Sequence, residues 1–310
     1  MDKMRLKALA KINLGLDVLR RREDGYHEVR MIMQTVHIYD QILMEKQDKA
    51  GIQVKTNLYY LPDNENNLVY KAAKLLMDEF HLPKGVMIDL KKYIPVAAGM
   101  AGGSSDAAAV LFGMNRMYNL GLSQEELMIR GVKIGADVPY CVMRGTALAE
   151  GIGEELTPLA PMPSCYILVA KPGISVSTKF VYENLRAAEL PWHPDIDGMK
   201  EALERQDLKA LTERMDYGNV LETVTVSEYP IIQMLKDTMK QYGALGTLMS
   251  GSGPTVFGVF DNQQTAKRAY LVLKRGRQAK QVFLTTPYNT HSERRGVADL
   301  NIGGANEVGY

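Results

Sequence analysis

The chain has 310 residues, 46% hydrophobic and 24% charged, which is the composition of an ordinary globular protein. Its 37 basic and 36 acidic residues leave a net charge of +1, so the strong basic excess of a typical nucleic-acid binder is absent. No run of about 18 apolar residues is present to span a membrane, and the charged start Met1–Ala10 does not read as a secretory signal. A cytoplasmic location is the resulting expectation. This length fits one large or two medium domains, with a core that needs no disulfide or metal staple. Cys141 and Cys165 lie in no CxxC pattern and near no histidine cluster, so two reduced, partly buried thiols are expected.

Along the chain, Ile12, Leu14, Leu16 and Val18 recur at period two and predict a strand over Leu9–Leu19. Arg20–Gly25 is a polar turn ending in Asp24-Gly25, and a second strand is expected over Val29–Glu45. Leu68–Phe80 has helical spacing behind the candidate caps Asn66 and Asn67, and Val86–Leu90 reads as a strand. A helix is predicted from about Ser105 to Tyr118, and Ser123 and Glu126 form a capping box for the next, to about Lys133. Strands are expected over Val142–Ala149 and Tyr166–Ala170, with the proline-rich Pro158–Pro163 as the domain boundary between them. Ile232, Leu235, Met239 and Tyr242 mark a helix closed by Gly243, and strands Ala244–Met249 and Thr255–Phe260 flank a second glycine-rich turn. Strands and helices follow no strict βαβ alternation, which favours an α+β fold. The segment from Asn289 to Tyr310 is poor in apolar residues and is expected to stay outside the core.

The most informative stretch is Pro95, Val96, Ala97, Ala98, Gly99, Met100, Ala101, Gly102, Gly103, Ser104, Ser105 and Asp106, running straight into an amphipathic helix. The glycines allow close backbone approach to a ligand. The helix start offers unpaired N–H groups and a partial positive charge, which suits a polyphosphate. Neither a Walker A lysine nor a GxGxxG pattern is present. A flexible loop followed by an N-cap is the competing structural explanation.

This loop resembles the phosphate-binding motif of the GHMP kinases, a family that includes galactokinase, homoserine kinase and mevalonate kinase. The resemblance runs from about residue 5 to 286. It is carried also by Ala10-Lys11-Ile12-Asn13-Leu14, Asp24-Gly25-Tyr26-His27, Gly135-Ala136-Asp137-Val138-Pro139 and Met249-Ser250-Gly251-Ser252-Gly253-Pro254. The glycine motifs are shared across the family. The other three together are more specific and are similar to a member whose acceptor carries a cytidine diphosphate group. Two departures stand in the loop: Ala101 replaces a glycine of some relatives, and Met100 takes a common leucine position.

The resemblance implies the two-domain α+β GHMP kinase fold with its active site in the cleft between domains. The expected division is 1–157, 164–288 and a tail, 289–310. It implies ATP on residues 95–105, with Mg2+ held largely by phosphates and water, its protein ligands unassigned. It makes Asp137 the base and Lys11 its charged partner, with Asn13 near the reacting hydroxyl. It assigns Tyr26 and His27 to cytidine, Gly251, Ser252 and Gly253 to the substrate's phosphates, and Phe180 to an aromatic wall. The partner is a small molecule, without nucleic acid, membrane or redox cofactor, and monomer and homodimer both stay open. Each residue has a structural explanation too: a solvent-facing strand lysine for Lys11, a turn cap for Asp137, a strand-edge amide for Asn13, plain packing for Tyr26, and a plain hairpin loop for residues 250–253. A kinase for another alcohol, a catalytically silent relative and a nucleotide binder without transfer activity are the competing functions.

Overall fold

Period-two apolar residues on either side of the Asp24-Gly25 turn produce a long antiparallel hairpin, β1 (Lys3–Arg21) with β2 (His27–Gln47). The computed structural model describes residues 2–289, so the expected tail lies outside the described residues except for Asn289. Gly25 has φ +86°, the left-handed conformation that favours glycine at such a turn. The register of the hairpin shifts between Leu9 and Lys11, between Asn13 and Gly15, and between Val18 and Arg20. Such irregularities re-aim side chains and bend a strand. β1 is buried on both faces from Ala8 to Val18, Lys11 and Asn13 included. The solvent-facing explanation for Lys11 therefore does not hold.

The hairpin anchors a six-stranded sheet with β3 (Ile52–Thr56), β4 (Gly85–Lys91), β5 (Thr146–Glu150) and β6 (Glu155–Pro158). The order is β3-β4-β2-β5-β6 with β1 beside β2, and only β3 and β4 pair in parallel. Four helices accompany it: α1 (Leu68–Glu79), α2 (Gly102–Tyr118), α3 (Gln124–Val132) and α4 (Val138–Met143). Asn67 caps α1 through its side chain, and both bonds of the predicted capping box open α3. Two expectations need correction. The helix α2 begins three residues before Ser105, so Gly102 and Gly103 form its first turn. Val142 and Met143 end α4, because Pro139 suits a first helical turn. Arg144 at φ +63° then breaks the chain, and β5 starts only at Thr146.

Beyond the proline-rich stretch lies a second, antiparallel sheet. It contains β7 (Tyr166–Lys171), β8 (Gly246–Met249), β9 (Val256–Phe260) and β10 (Gln281–Thr285), in the order β10-β7-β9-β8. Six helices belong to this part: α5 (Thr178–Asn184), α6 (Ile196–Glu204), α7 (Leu208–Glu213), α8 (Glu222–Glu228), α9 (Ile231–Gln241) and α10 (Gln263–Arg275). Gly243 follows α9 at φ +91°, as expected of a C-terminal glycine.

The two sheets share their cores. Ile12 and Leu14 of β1 belong to one buried apolar cluster with Ile167, Val169, Phe257 and Val259 of the second sheet. Gly15 admits α6 against the same strand, since a Cβ there would meet the Met199 sulfur at 2.7 Å. Cys141 and Cys165 are free and buried. Burial pushes both thiols up, Cys165 to about 12, which leaves them inert at neutral pH. Among the described residues no helix is long and apolar enough to cross a membrane.

Candidate active site

Where β1, the loop before α2, the start of α4, α5 and the turn after β8 converge, they enclose a cleft of about 1180 Å³. The strand contributes Lys11 and Asn13, and Asp137 enters from the N-terminus of α4. Lys11 Nζ donates to Asn13 Oδ1 at 2.7 Å. Asp137 makes no side-chain cap bond to its helix, so its carboxylate is not consumed as a turn cap. The expected Lys11–Asp137 ion pair does not form among the described residues, where Lys11 bonds Asn13 instead. Both charges nevertheless act on one thiol: after burial, Asp137 raises and Lys11 lowers the pKa of Cys141.

The glycine-rich loop lines the cleft with Pro95, Val96, Ala97, Ala98, Gly99, Ala101, Gly102, Gly103 and Ser104. Its path alternates into the left-handed region at Ala97 (φ +50°), Gly99 (φ +72°) and Ala101 (φ +52°). Two such non-glycine residues in one loop are uncommon and store backbone strain. Two of the predicted loop residues serve elsewhere. Met100 is buried in the apolar core, and its carbonyl accepts the Lys11 N–H at 3.2 Å. Ser105 is buried, and its hydroxyl donates to the Leu9 carbonyl at 2.6 Å, so it anchors α2 on β1 rather than facing a ligand.

The turn after β8 brings Gly251, Ser252 and Gly253 to the cleft beside the first glycine loop. Ser250 ties the two glycine loops together: its hydroxyl donates to the Gly99 carbonyl at 2.9 Å and accepts the Asn13 N–H at 3.3 Å. Tyr26 and His27 line the cleft from the hairpin turn. The His27 ring lies 5.0 Å from that of Tyr182 on α5, tilted by 40°. Burial, with help from the Arg21 charge, lowers the His27 pKa and favours the neutral imidazole. Such a ring offers one donor and one acceptor.

Phe180 is not part of this wall. It is exposed, and Tyr182 takes the place expected of it. The helix explains why, since residues two apart point about 200° away from each other. Tyr182 therefore shares its face with Thr178, whose hydroxyl meets that of Ser252 at 2.8 Å.

Sequence reading also missed a buried charge cluster under the loop. Lys92 Nζ bonds Asp106 Oδ2 at 2.6 Å and Asp40 Oδ2, and all three side chains are almost fully buried. The two carboxylates keep the lysine charged against the cost of burial. Burial pushes the Asp106 carboxyl well up despite Lys92, and its Oδ1 has no partner among the described residues. Lysine next to another lysine, Lys91, reads in sequence as a solvated pair, so no pattern marks Lys92. Among the described residues no group of three or more His, Cys, Asp or Glu could hold a metal by itself.

Residues 67–145 match the model of the GHMP kinases N-terminal domain, and residues 199–277 match that of the GHMP kinases C-terminal domain. A protein of Lachnoclostridium phytofermentans named 4-diphosphocytidyl-2-C-methyl-D-erythritol kinase is 58% identical, covering 92% of this chain and 97% of its own. One of the same name from Lachnospira eligens is 56% identical over 93% of this chain and 99% of its own. The crystal structure of a 4-(cytidine 5′-diphospho)-2C-methyl-D-erythritol kinase superposes with a TM-score of 0.77 at 34% identity, covering 92% of this chain and 99% of the other. With both family models matched in order and relatives of this identity along nearly its whole length, the chain belongs to the GHMP kinases.

Proposed function

We propose that this enzyme transfers the γ-phosphoryl group of ATP to the 2-hydroxyl of 4-diphosphocytidyl-2-C-methyl-D-erythritol, a step of the non-mevalonate route to isoprenoid precursors. One observation carries the reading beyond the family: a glycine-rich helix N-terminus, a free carboxylate and an aromatic pair with a neutral histidine face the same cleft. The first suits a nucleotide's phosphates, the second an alcohol's proton, and the third a pyrimidine.

In this reading the acceptor oxygen attacks the γ-phosphorus, the bond to ADP breaks, and the hydroxyl proton passes to the Asp137 carboxylate. Lys11, steadied by Asn13, compensates the charge that builds on the oxygen. Gly99 and Ala101 to Ser104 hold the triphosphate. His27 and Tyr182 receive the cytosine, with Tyr26 at the mouth, where the residue is 61% exposed. Gly251, Ser252 and Gly253 close over phosphates. Among the oxygen donors that line the cleft are the Ser104 hydroxyl and the Asp137 carboxylate. They fit a magnesium ion that keeps most of its ligands from phosphate and water. When bound, the ion neutralises charge on the phosphates. Nucleotide, acceptor and both products are charged and water-soluble, which fits a cytoplasmic reaction.

The test is ADP release from ATP and magnesium with this acceptor. Lys11→Ala and Asp137→Asn should each leave ATP affinity near wild type and cut turnover at least about 100-fold, the low end for a base. Near-normal turnover in either variant would remove its assigned role. A folded, ATP-binding wild type that leaves this acceptor untouched would reject the cytidine reading of Tyr26, His27 and Tyr182.

A further inference from the structure

The third glycine turn is held from behind by a side chain that no motif singled out. Asn219 is 1% exposed. Its Nδ2 donates to the carbonyls of Met249 at 2.8 Å and Gly251 at 2.9 Å, and its Oδ1 accepts the Leu221 N–H at 3.0 Å. Both amide hydrogens are thus committed to the turn. The asparagine is itself fixed to β1: the Leu16 N–H donates to the Gly218 carbonyl at 2.7 Å, and the Val220 N–H donates to the Leu16 carbonyl at 3.1 Å. That is the strand which carries Lys11 and Asn13. Nearby, Glu222 accepts the Met249 N–H at 2.8 Å, so both backbone groups of Met249 are held by side chains three residues apart.

In a trans peptide, a carbonyl and the following N–H point in opposite directions. Asn219 draws the Gly251 carbonyl toward itself, away from the cleft, and this turns the Ser252 N–H the other way. Neither the Gly251 nor the Ser252 N–H meets a protein acceptor among the described residues. Both residues line the cleft. Gly251 sits at φ +58°, and a glycine there resists a peptide rotation less than any other residue would. The Ser252 hydroxyl is engaged with Thr178, and its carbonyl accepts from Thr225 Oγ1 at 3.3 Å, which leaves its N–H as the group facing a ligand.

We propose that Asn219 is a positioning residue, which locks the Gly251–Ser252 peptide so that the Ser252 N–H is presented to a phosphate oxygen in the cleft. The proposal rests on the reading above that this turn faces phosphate. A donor fixed before the ligand arrives needs no reorganisation when charge appears in front of it. The phosphate belongs either to the nucleotide or to the diphosphate of the acceptor, and the experiment separates the two.

The 15N-labelled full chain is titrated separately with a non-hydrolysable ATP analogue and with cytidine diphosphate while the Ser252 amide resonance is followed. The expected result is a downfield shift of that proton with one of the two ligands, which identifies the phosphate. Asn219→Asp keeps the shape but cannot donate. It should lose the shift and bind that ligand at least about tenfold more weakly, the scale of one hydrogen bond to a charged group. The other ligand should bind as in wild type, and the thermal transition should stay cooperative. Should this variant fail to fold, Asn219→Ser, which retains one donor, serves in the same comparison. A Ser252 amide unmoved by both ligands, or a folded Asn219 variant with wild-type affinity for both, would overturn the proposal. A wild type that binds the analogue but shows no transfer to the proposed acceptor would instead reject the functional reading, and the Ser252 response to nucleotide would still report on the lock.

Discussion

Gly99 is the point where the two glycine loops touch, and it illustrates how a single hydrogen atom in place of a side chain sets the site. A Cβ there would lie 2.0 Å from the Ser250 carbonyl oxygen, a backbone atom that cannot rotate away. Its φ of +72° adds the left-handed penalty, roughly 1–2 kcal/mol for an L-residue. Gly25 has a similar φ of +86° but open space around it. Gly99→Ala should therefore destabilise the fold by clearly more than Gly25→Ala, which bears only the penalty of about 1–2 kcal/mol, and should also weaken nucleotide binding. Denaturant unfolding and nucleotide titration of the two variants provide the check, and equal effects would show that the loops yield freely. His27 gives a second prediction at this scale. Burial and Arg21 depress its pKa below the ordinary 6.5, so the folded protein resists protonating it. The associated stability is fully present above pH 6.5 and is lost as pH falls through the lowered folded value. Affinity for a cytidine ligand should follow the same course, flat above neutrality and falling in acid, and His27→Gln should flatten it. In the sequence, the glycines, Lys11, Asn13, Asp137 and His27 were legible because each sits in a short contiguous motif. Lys92 and Tyr182 were not, because their roles come from partners 52 and 155 residues away, at Asp40 and His27, and Asp106, although it ends the loop motif, gave no sign of its bond to Lys92.

At the level of elements, the alternation of β1 was readable and its burial was not. Alternation promises one wet face, yet β1 is covered on both sides, one cover being α6, whose helical pattern went unassigned. Packing and charge both hold α6 against the hairpin, and their magnitudes decide between them. Arg30 bonds both oxygens of Asp197 at 2.8 and 2.7 Å and also reaches Glu150. However, the Asp197 side chain is 66% exposed. Exposed pairs contribute about 0–1 kcal/mol. Met199, fully buried beside Gly15, is worth about 2–5 kcal/mol if truncated to alanine. Met199→Ala should thus lower stability several times more than Arg30→Met in urea unfolding, and the reverse order would make the ion pair the principal anchor. The Arg30 guanidinium holds the Asp197 carboxyl down at about 2. Whatever stability the pair contributes is present above the ordinary carboxylate value of 3.8 and is lost as pH falls through about 2. In the Arg30→Met variant that acid-dependent part of the loss should disappear.

For the molecule as a whole, the proline-rich stretch divides the sheets but not the cores. The first sheet ends at Pro158 and the second begins at Tyr166, on either side of the proline-rich stretch from which the expected limits of 1–157 and 164–288 are drawn. Composition shifts mark where a chain crosses from one sheet to another, but they say nothing of what each sheet packs against. Ile12, Leu14, Ile32 and Val36 of the first sheet are buried with Ile167, Val169, Phe257 and Val259 of the second. Two backbone bridges cross the division as well, Leu16 to Asn219 and Val36 to Pro287. A fragment ending in the proline stretch would expose these apolar side chains and strip β1 of one of its two covers. Each such aliphatic side chain contributes about 1.5–3 kcal/mol when buried, and whole domains retain only about 5–15 kcal/mol. Residues 1–163 expressed alone should therefore not fold cooperatively, and the intact chain should melt in one transition by calorimetry and by circular dichroism alike. A sharp, independent melting transition in the 1–163 fragment would mean instead that the shared apolar cluster is an interface between two self-sufficient domains, and the cleft would then be free to open along it.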